Sequence, residues 1–104
     1  MLLSHETTPD YLRHQDLESL AHTLKALAHP ARLAIVGLLV EHPSLHCTQM
    51  IERLGIEQTL LSHHLSTLHD RGILRREKEG KFILYRLADQ RMAKIIECIT
   101  HSQP

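Results

Sequence analysis

Cysteine and glycine are scarce in this chain of 104 residues, and their scarcity excludes several functions. The two cysteines, Cys47 and Cys98, lie far apart and form no Cys-x-x-Cys pair, so neither a zinc finger nor a disulfide framework is predicted. Only four glycines are present, and none belongs to a loop of the kind that cradles a phosphate. No serine or cysteine has a recognisable catalytic partner. These absences argue against an enzyme, and nothing in the chain requires a cofactor.

Long apolar runs are also missing. The longest, LAIVGLLV at 33–40, is far shorter than the roughly 20 residues that span a bilayer. The first residues do not resemble a signal peptide. A chain of this length can bury one modest core and is too short for two. We therefore expect a single domain that works in the cytoplasm without contacting a membrane.

A net charge is absent too, because twelve Lys and Arg balance twelve Asp and Glu. Ten histidines, with an unperturbed pKa of about 6.5, make this neutrality depend on pH. The basic residues are unevenly distributed, since half of them lie between positions 71 and 86. They are Arg71, Arg75, Arg76, Lys78, Lys81 and Arg86. The sequence thus predicts one locally basic segment within a neutral protein.

The first half of the chain is predicted to be helical. Residues 1–15 are expected to form an N-terminal arm, and residues 16–104 the single domain. Asp16 can cap a first helix, in which leucines recur at intervals of three and four up to position 27. Pro30 suits the first turn of a second helix, which is apolar nearly all round and stops at Pro43. That helix is therefore expected at the centre of the core.

The second half of the chain has the pattern of two short helices, a hairpin and a last helix. A helix over 47–54 closes at Gly55, and a second helix runs over about 57–70, which is a helix-turn-helix pattern. The stretch ILRREKEGKFILYRL then predicts two strands joined by a turn at 78–81. Asp89 can cap the last helix. Its apolar stripe, which needs a partner surface, consists of Met92, Ile95, Ile96 and Ile99.

The helix over 57–70 has an apolar face and a polar face. Leu61, Leu65 and Leu68 lie within about 40° of one another and are predicted to face the core. The opposite face carries short polar side chains, which leave room for the edges of base pairs in a major groove. The residues predicted to contact DNA from this helix are Gln58 in its first turn, Thr59, Ser62, His63 and Ser66.

Two alternatives accompany this interpretation. The polar face would be an ordinary solvated surface if the helix stood alone, but the preceding helix and the basic hairpin favour DNA. From the hairpin, Arg76, Lys78 and Lys81 are predicted to contact phosphates. The neighbouring histidines do not suggest a shared metal ion, because His63 lies beside the polar face and His64 beside the leucines. We expect His64 to be packed or hydrogen bonded in the interior.

Two segments, ALAHPARL at 26–33 and Ser62-x-His64-Leu65-x-x-Leu68-x-x-x-Gly72-Ile73-Leu74, resemble the ArsR/SmtB group of bacterial repressors. The resemblance covers roughly residues 17–100. It implies a mainly α winged helix-turn-helix fold of about five helices with a small β-hairpin wing. It also implies a homodimer, formed through the first and last helices, that binds a roughly palindromic operator and is released by an inducer. Glu57 departs from the capping serine usual in the family; it is a weaker N-cap and phosphate repels it.

Two metal-sensing sites of this family are broken here. His46 and Thr48 occupy the positions of a Cys-x-Cys that binds soft metals, with Cys47 between them. The terminal helix has Asp89-x-Arg91 in place of Asp-x-His, and His101 is one residue away from the expected position.

Three hypotheses about the role of the cysteines stay open. His46 and Cys47 can join His5 or His14 of the other protomer to bind zinc or another transition metal. Cys47 and Cys98 can form a redox-sensing or persulfide-sensing pair, or both can simply be packed side chains. A winged helix that binds only protein is the main functional rival to a repressor.

Overall fold

The computed structural model describes residues 14–101, with side chains over 17–100, and within that range it has five helices and three strands. The helices are α1 (His14–Leu27), α2 (Pro30–Glu41), α3 (Cys47–Leu54), α4 (Gln58–Asp70) and α5 (Arg91–His101). The strands are β1 (Leu45–His46), β2 (Leu74–Glu79) and β3 (Phe82–Leu87). The mainly α winged helix-turn-helix architecture expected from the sequence is confirmed.

The helix ends follow local chemistry at most of the predicted positions. Pro30 begins α2, where its missing N–H costs nothing. Gly55 ends α3 with a φ of 63°, a left-handed conformation that glycine adopts without strain. The prediction that Asp16 caps the first helix is wrong, because α1 begins two residues earlier at His14. The rest of the predicted arm, residues 1–13, lies outside the described residues.

The sheet has one strand more than the sequence predicts. Its order is β1-β3-β2, and both pairings are antiparallel. In β1 only two residues pair, Leu45 with Tyr85 and His46 with Leu84, and so short a strand leaves no alternation to detect. The hairpin turn is tighter than predicted, since Glu79 pairs with Phe82 and only two residues lie between them.

The core forms where α2, α3 and α4 meet the base of the sheet. Its most completely buried side chains are Ile35, Val36, Met50, Leu61, Leu65 and Leu68. The central position predicted for α2 is confirmed by Ile35 and Val36, which are fully buried. The three leucines of α4 are buried as well, so the face assigned to the core from helical spacing is correct.

The stripe on α5 is only partly covered. Asp89 Oδ1 accepts a hydrogen bond from the backbone N–H of Arg91 at the start of α5, as expected of a capping residue. Met92 is buried, but Ile99 is 61% exposed, and on α1 Leu20 and Leu24 are 46% and 47% exposed. The first and last helices therefore both present apolar side chains to solvent.

Within residues 14–101 no single helix has the length and apolar composition needed to cross a membrane. The bent pair Leu17–Leu27 and Pro30–Glu41, at 97° to each other, meets that test only when both helices are taken together.

Candidate nucleic-acid interface

The exposed face of α4 consists of short polar side chains. Gln58 lies in the first turn and is exposed, and so are the other four residues predicted to contact DNA. These are Thr59, Ser62, His63 and Ser66. The buried leucines hold the opposite face of the helix against the core. The arrangement presents hydroxyl and imidazole groups to solvent from a helix that is fixed in orientation.

Glu57 caps α4 more completely than its residue type predicts. One carboxylate oxygen accepts the N–H of Thr59 at 3.1 Å, and the other accepts the N–H of Leu60 at 3.0 Å. Both bonds are made to the charged form, so they lower the pKa of Glu57. The carboxylate also lies at the positive end of the helix dipole. The weak cap expected from the sequence is therefore corrected to a cap that uses both oxygens.

Replacing Glu57 with alanine is expected to lower the Tm at neutral pH by about 4 °C, because two N–H groups lose their acceptor. A pKa lowered by folding means that the cap stabilises the protein above the unfolded value of about 4.3 and loses this effect as pH falls through the folded value. Thermal denaturation of both proteins should therefore give Tm values that converge in acid. A difference that stays constant with pH would contradict the assignment.

The His64 side chain points into the protein, as predicted. It also accepts a hydrogen bond from a residue that the sequence analysis did not identify. It is 2% exposed, and its Nδ1 accepts a hydrogen bond from Arg32 Nε at 3.1 Å. Burial lowers its pKa, and the positive charges of His29, Arg32 and His63 lower it further. The one sequence signal for this contact was an arginine within the otherwise apolar first part of α2.

The hairpin β2–β3 carries the basic residues predicted to contact phosphates. Arg76 and Lys78 are exposed on β2, and Lys81 is exposed in the turn. Arg86 is less available, because its Nε lies 2.7 Å from a carboxylate oxygen of Glu77. The hairpin begins close to the last turn of α4, since Ile73 donates a backbone hydrogen bond to Leu68 at 3.0 Å.

The side chain of His46 packs on the hairpin. Its ring stacks on Phe82 with centroids 4.6 Å apart, and Lys81 Nζ lies 5.5 Å from the centre of the same Phe82 ring. The backbone N–H of His46 donates to Gln49 Oε1 at 3.0 Å at the start of α3. Sequence reasoning missed Phe82, whose contact depends on the pairing of β1 with β3. The stack connects the first helix of the helix-turn-helix to the tip of the wing.

The two cysteines are separate free thiols. Cys47 is half-buried at the first position of α3, and burial raises the pKa of its thiol. A raised pKa leaves less of the reactive thiolate at neutral pH. Cys98 is exposed on α5.

The part of the chain that the structure describes contains no group of three or more His, Cys, Asp or Glu residues arranged to hold a metal ion. His46 Nδ1 is buried and lacks a hydrogen-bond partner among the described atoms, and it lies next to Cys47 in the chain. The further ligands predicted from the arm, His5 and the side chain of His14, lie outside the described residues. The described residues alone do not form a metal site.

Comparison with known proteins agrees with this geometry. Residues 27–77 match a family model described as a helix-turn-helix domain. The transcriptional repressor PagR of Bacillus anthracis is 34% identical over 92 residues, which cover 88% of this chain and 92% of PagR. The transcriptional repressor SmtB of Mycobacterium tuberculosis is 38% identical over 88 residues, covering 83% of this chain and 64% of that protein.

Solved structures show the same fold. The crystal structure of PagR superposes with a TM-score of 0.78 over 84% of this chain and 99% of that one. The structure of HlyU from Vibrio cholerae, 27% identical, superposes with a TM-score of 0.80 over 86% of this chain and 97% of that one.

Proposed function

The chain belongs to the ArsR/SmtB family of winged helix-turn-helix transcriptional repressors, and we propose that α4 is the helix that reads its operator. The observation that carries this assignment is the division of α4 into a fully buried leucine face and an exposed face of short polar residues. A helix with such a face fits the major groove, where Ser, Thr, Gln and His can bond base edges.

The wing supplies contacts of a different kind. Arg76, Lys78 and Lys81 are exposed on the hairpin that follows α4, where they can contact phosphates on either side of the groove. Contacts to phosphate hold the protein on DNA without reading its sequence. Specificity is therefore assigned to α4, and general affinity to the wing.

Replacing Ser62 and His63 together with alanine is expected to reduce discrimination between operator and random duplex about tenfold, because hydrogen bonds to base edges are removed. Replacing Lys81 with alanine is expected to weaken binding to both duplexes equally. Fluorescence anisotropy with a fragment of the protein's own promoter and a scrambled duplex measures both effects. If both variants lost affinity for the operator and for the random duplex in the same ratio, α4 would not be the recognition helix.

A winged helix that binds only protein is the rival function, and a single titration separates the two. Binding to the promoter fragment that weakens as salt rises supports the repressor. An absence of binding at low salt would overturn the assignment of α4 and the wing to DNA. Because a repressor acts on chromosomal DNA, the proposal places the protein in the cytoplasm.

The homodimer is proposed to form through α1 and α5. Leu20 and Leu24 on α1 and Ile99 on α5 are large apolar side chains exposed to solvent. A groove of about 480 Å³ runs between these helices and is lined by Leu20, Met92 and Ile95 among others. A second copy of the chain that covers this surface also places two recognition helices on one palindromic site. Sedimentation should give twice the 12.0 kDa of one chain.

Release by an inducer that reacts with thiols at Cys47 and Cys98 is proposed as the regulatory step. The supporting observation is that both cysteines are free, one at the start of the helix-turn-helix and one on the proposed dimer helix. Response to zinc or another transition metal is the second candidate, and the buried Nδ1 of His46 beside Cys47 favours it.

One experiment separates the two kinds of inducer. Release of the promoter fragment is measured with a panel of metal ions and then with disulfide and polysulfide oxidants, for the natural protein and for Cys47→Ser and Cys98→Ser. Loss of the oxidant response in both variants supports the thiol pair, whereas loss of a metal response in Cys47→Ser alone supports the metal. If Cys47→Ser responds like the natural protein to every compound, both roles of Cys47 are wrong.

A further inference from the structure

A partly buried hydrogen bond joins α4, the helix proposed to recognise the operator, to the rest of the domain. Arg32 on α2 donates from Nε to His64 Nδ1 at 3.1 Å and from Nη1 to the carbonyl oxygen of Ala26 at 3.2 Å. Ala26 belongs to the last turn of α1. One guanidinium group therefore connects three helices, and its contact with α4 is made beneath the face assigned to DNA.

This contact requires neutral His64. Nδ1 accepts a bond only while it has no proton, and a proton there would face the Arg32 N–H as a second donor. The charged groups that act on His64 are His29 just before α2, Arg32 on α2 and His63 on α4 itself, and each of them lowers the pKa of His64. The rings of His29 and His63 lie 4.5 Å and 5.7 Å from that of His64. A charge on His64 would thus be buried among other positive charges.

We infer that Arg32 and His64 are positioning residues for DNA binding: neutral His64 holds α4 at the angle that the operator requires, and its protonation weakens operator binding. The inference rests on the proposed role of α4. His63 is expected to act in the opposite direction, because it is exposed on the face of α4 assigned to DNA, where a positive charge is attracted by phosphate. The pH dependence assigned to His64 is therefore measured as a difference between variants.

The test compares operator affinity at about pH 7.5 and at about pH 5, because the lowered pKa of His64 moves its protonation below the usual histidine value of about 6.5. In His64→Asn the amide oxygen lies near the former position of Nδ1 and accepts from Arg32 at both pH values. The matched control is His69→Asn, which makes the same change on the same helix. The probe is a fluorescein-labelled fragment of the protein's own promoter. Acidification should weaken binding about tenfold more in the natural protein and in His69→Asn than in His64→Asn.

Two results would overturn the inference. One is a pH dependence in His64→Asn equal to that of the natural protein while both bind at pH near 7.5. The other is an absence of binding by the natural protein at that pH, which would refute the proposed function as well. A merely structural role predicts instead that affinity follows the folded fraction. Circular dichroism at each pH measures the folded fraction. This measurement is needed because a histidine pKa that is lowered by folding makes the folded protein less stable below about pH 6.5.

A second measurement keeps the inference testable if His64→Asn does not fold. NMR titration of the His64 ring in the natural protein, free and bound to the promoter fragment, reports its protonation directly. Because DNA selects the neutral form, the pKa of His64 should fall further in the complex. An unchanged or raised pKa would show that His64 does not position α4 for DNA.

Discussion

Replacing Leu65 with alanine is expected to lower the free energy of unfolding by about 2–5 kcal/mol, one of the two largest effects we predict. Leu65 is 1% exposed and lies between Leu61 and Leu68 on the buried face of α4. Its removal reduces apolar burial and leaves a cavity that the surrounding helices cannot fill completely. Urea denaturation followed by circular dichroism measures the change.

Ser66→Ala is the matched control for this prediction. It alters the next residue of the same helix, but Ser66 is exposed and does not belong to the core. We expect its free energy of unfolding to stay within about 0.5 kcal/mol of the natural protein. Equal effects of the two substitutions would mean that the faces of α4 have been assigned incorrectly, and with them the surface offered to DNA.

Replacing Arg76, Lys78 and Lys81 together with alanine is expected to have the largest effect on DNA affinity. For every phosphate contact that the substitutions remove, the slope of log affinity against log salt should fall in magnitude by about 0.9, and binding at about 0.1 M salt should weaken about tenfold. Operator and random duplexes should be affected alike, since phosphate contacts carry no sequence information. Anisotropy titrations across a range of salt concentrations measure both quantities.

The control for the wing removes positive charge elsewhere on the protein. Lys25→Ala with Lys94→Ala neutralises exposed lysines on α1 and α5, which are outside the helix and the hairpin assigned to DNA. It should leave the salt slope unchanged. A slope that falls by the same amount in this control would show that overall charge, rather than the wing, determines the affinity.

Local patterns in the sequence were sufficient to predict most of the architecture. The spacing of Leu61, Leu65 and Leu68 identified the buried face of α4, because helical periodicity depends only on residues near one another in the chain. Gly55 and Pro30 marked helix ends for the same reason, since each acts through its own backbone conformation.

The sequence did not reveal contacts between residues that are distant in the chain. Strand β1 exists because Leu45 meets Tyr85, and the Arg32 bond to His64 joins positions 32 residues apart. Arg32 stands out in the apolar first part of α2, but no local pattern indicates which distant residue meets it, and none marks the pairing of Leu45 with Tyr85. The cap at Glu57 was underestimated for another reason: general preferences rank residue types, whereas here the carboxylate geometry lets both oxygens accept a bond.

The position of β2 in the sheet has a consequence for solubility. It is an outer strand, and after Leu74 every one of its residues is charged and exposed, from Arg75 to Glu79. Charged side chains on an open strand edge discourage another chain from adding to the sheet. A substitution that removes charge from this wing is therefore expected to have two effects: it weakens the proposed contacts with phosphate, and it leaves an edge strand less protected against pairing with another copy of the protein.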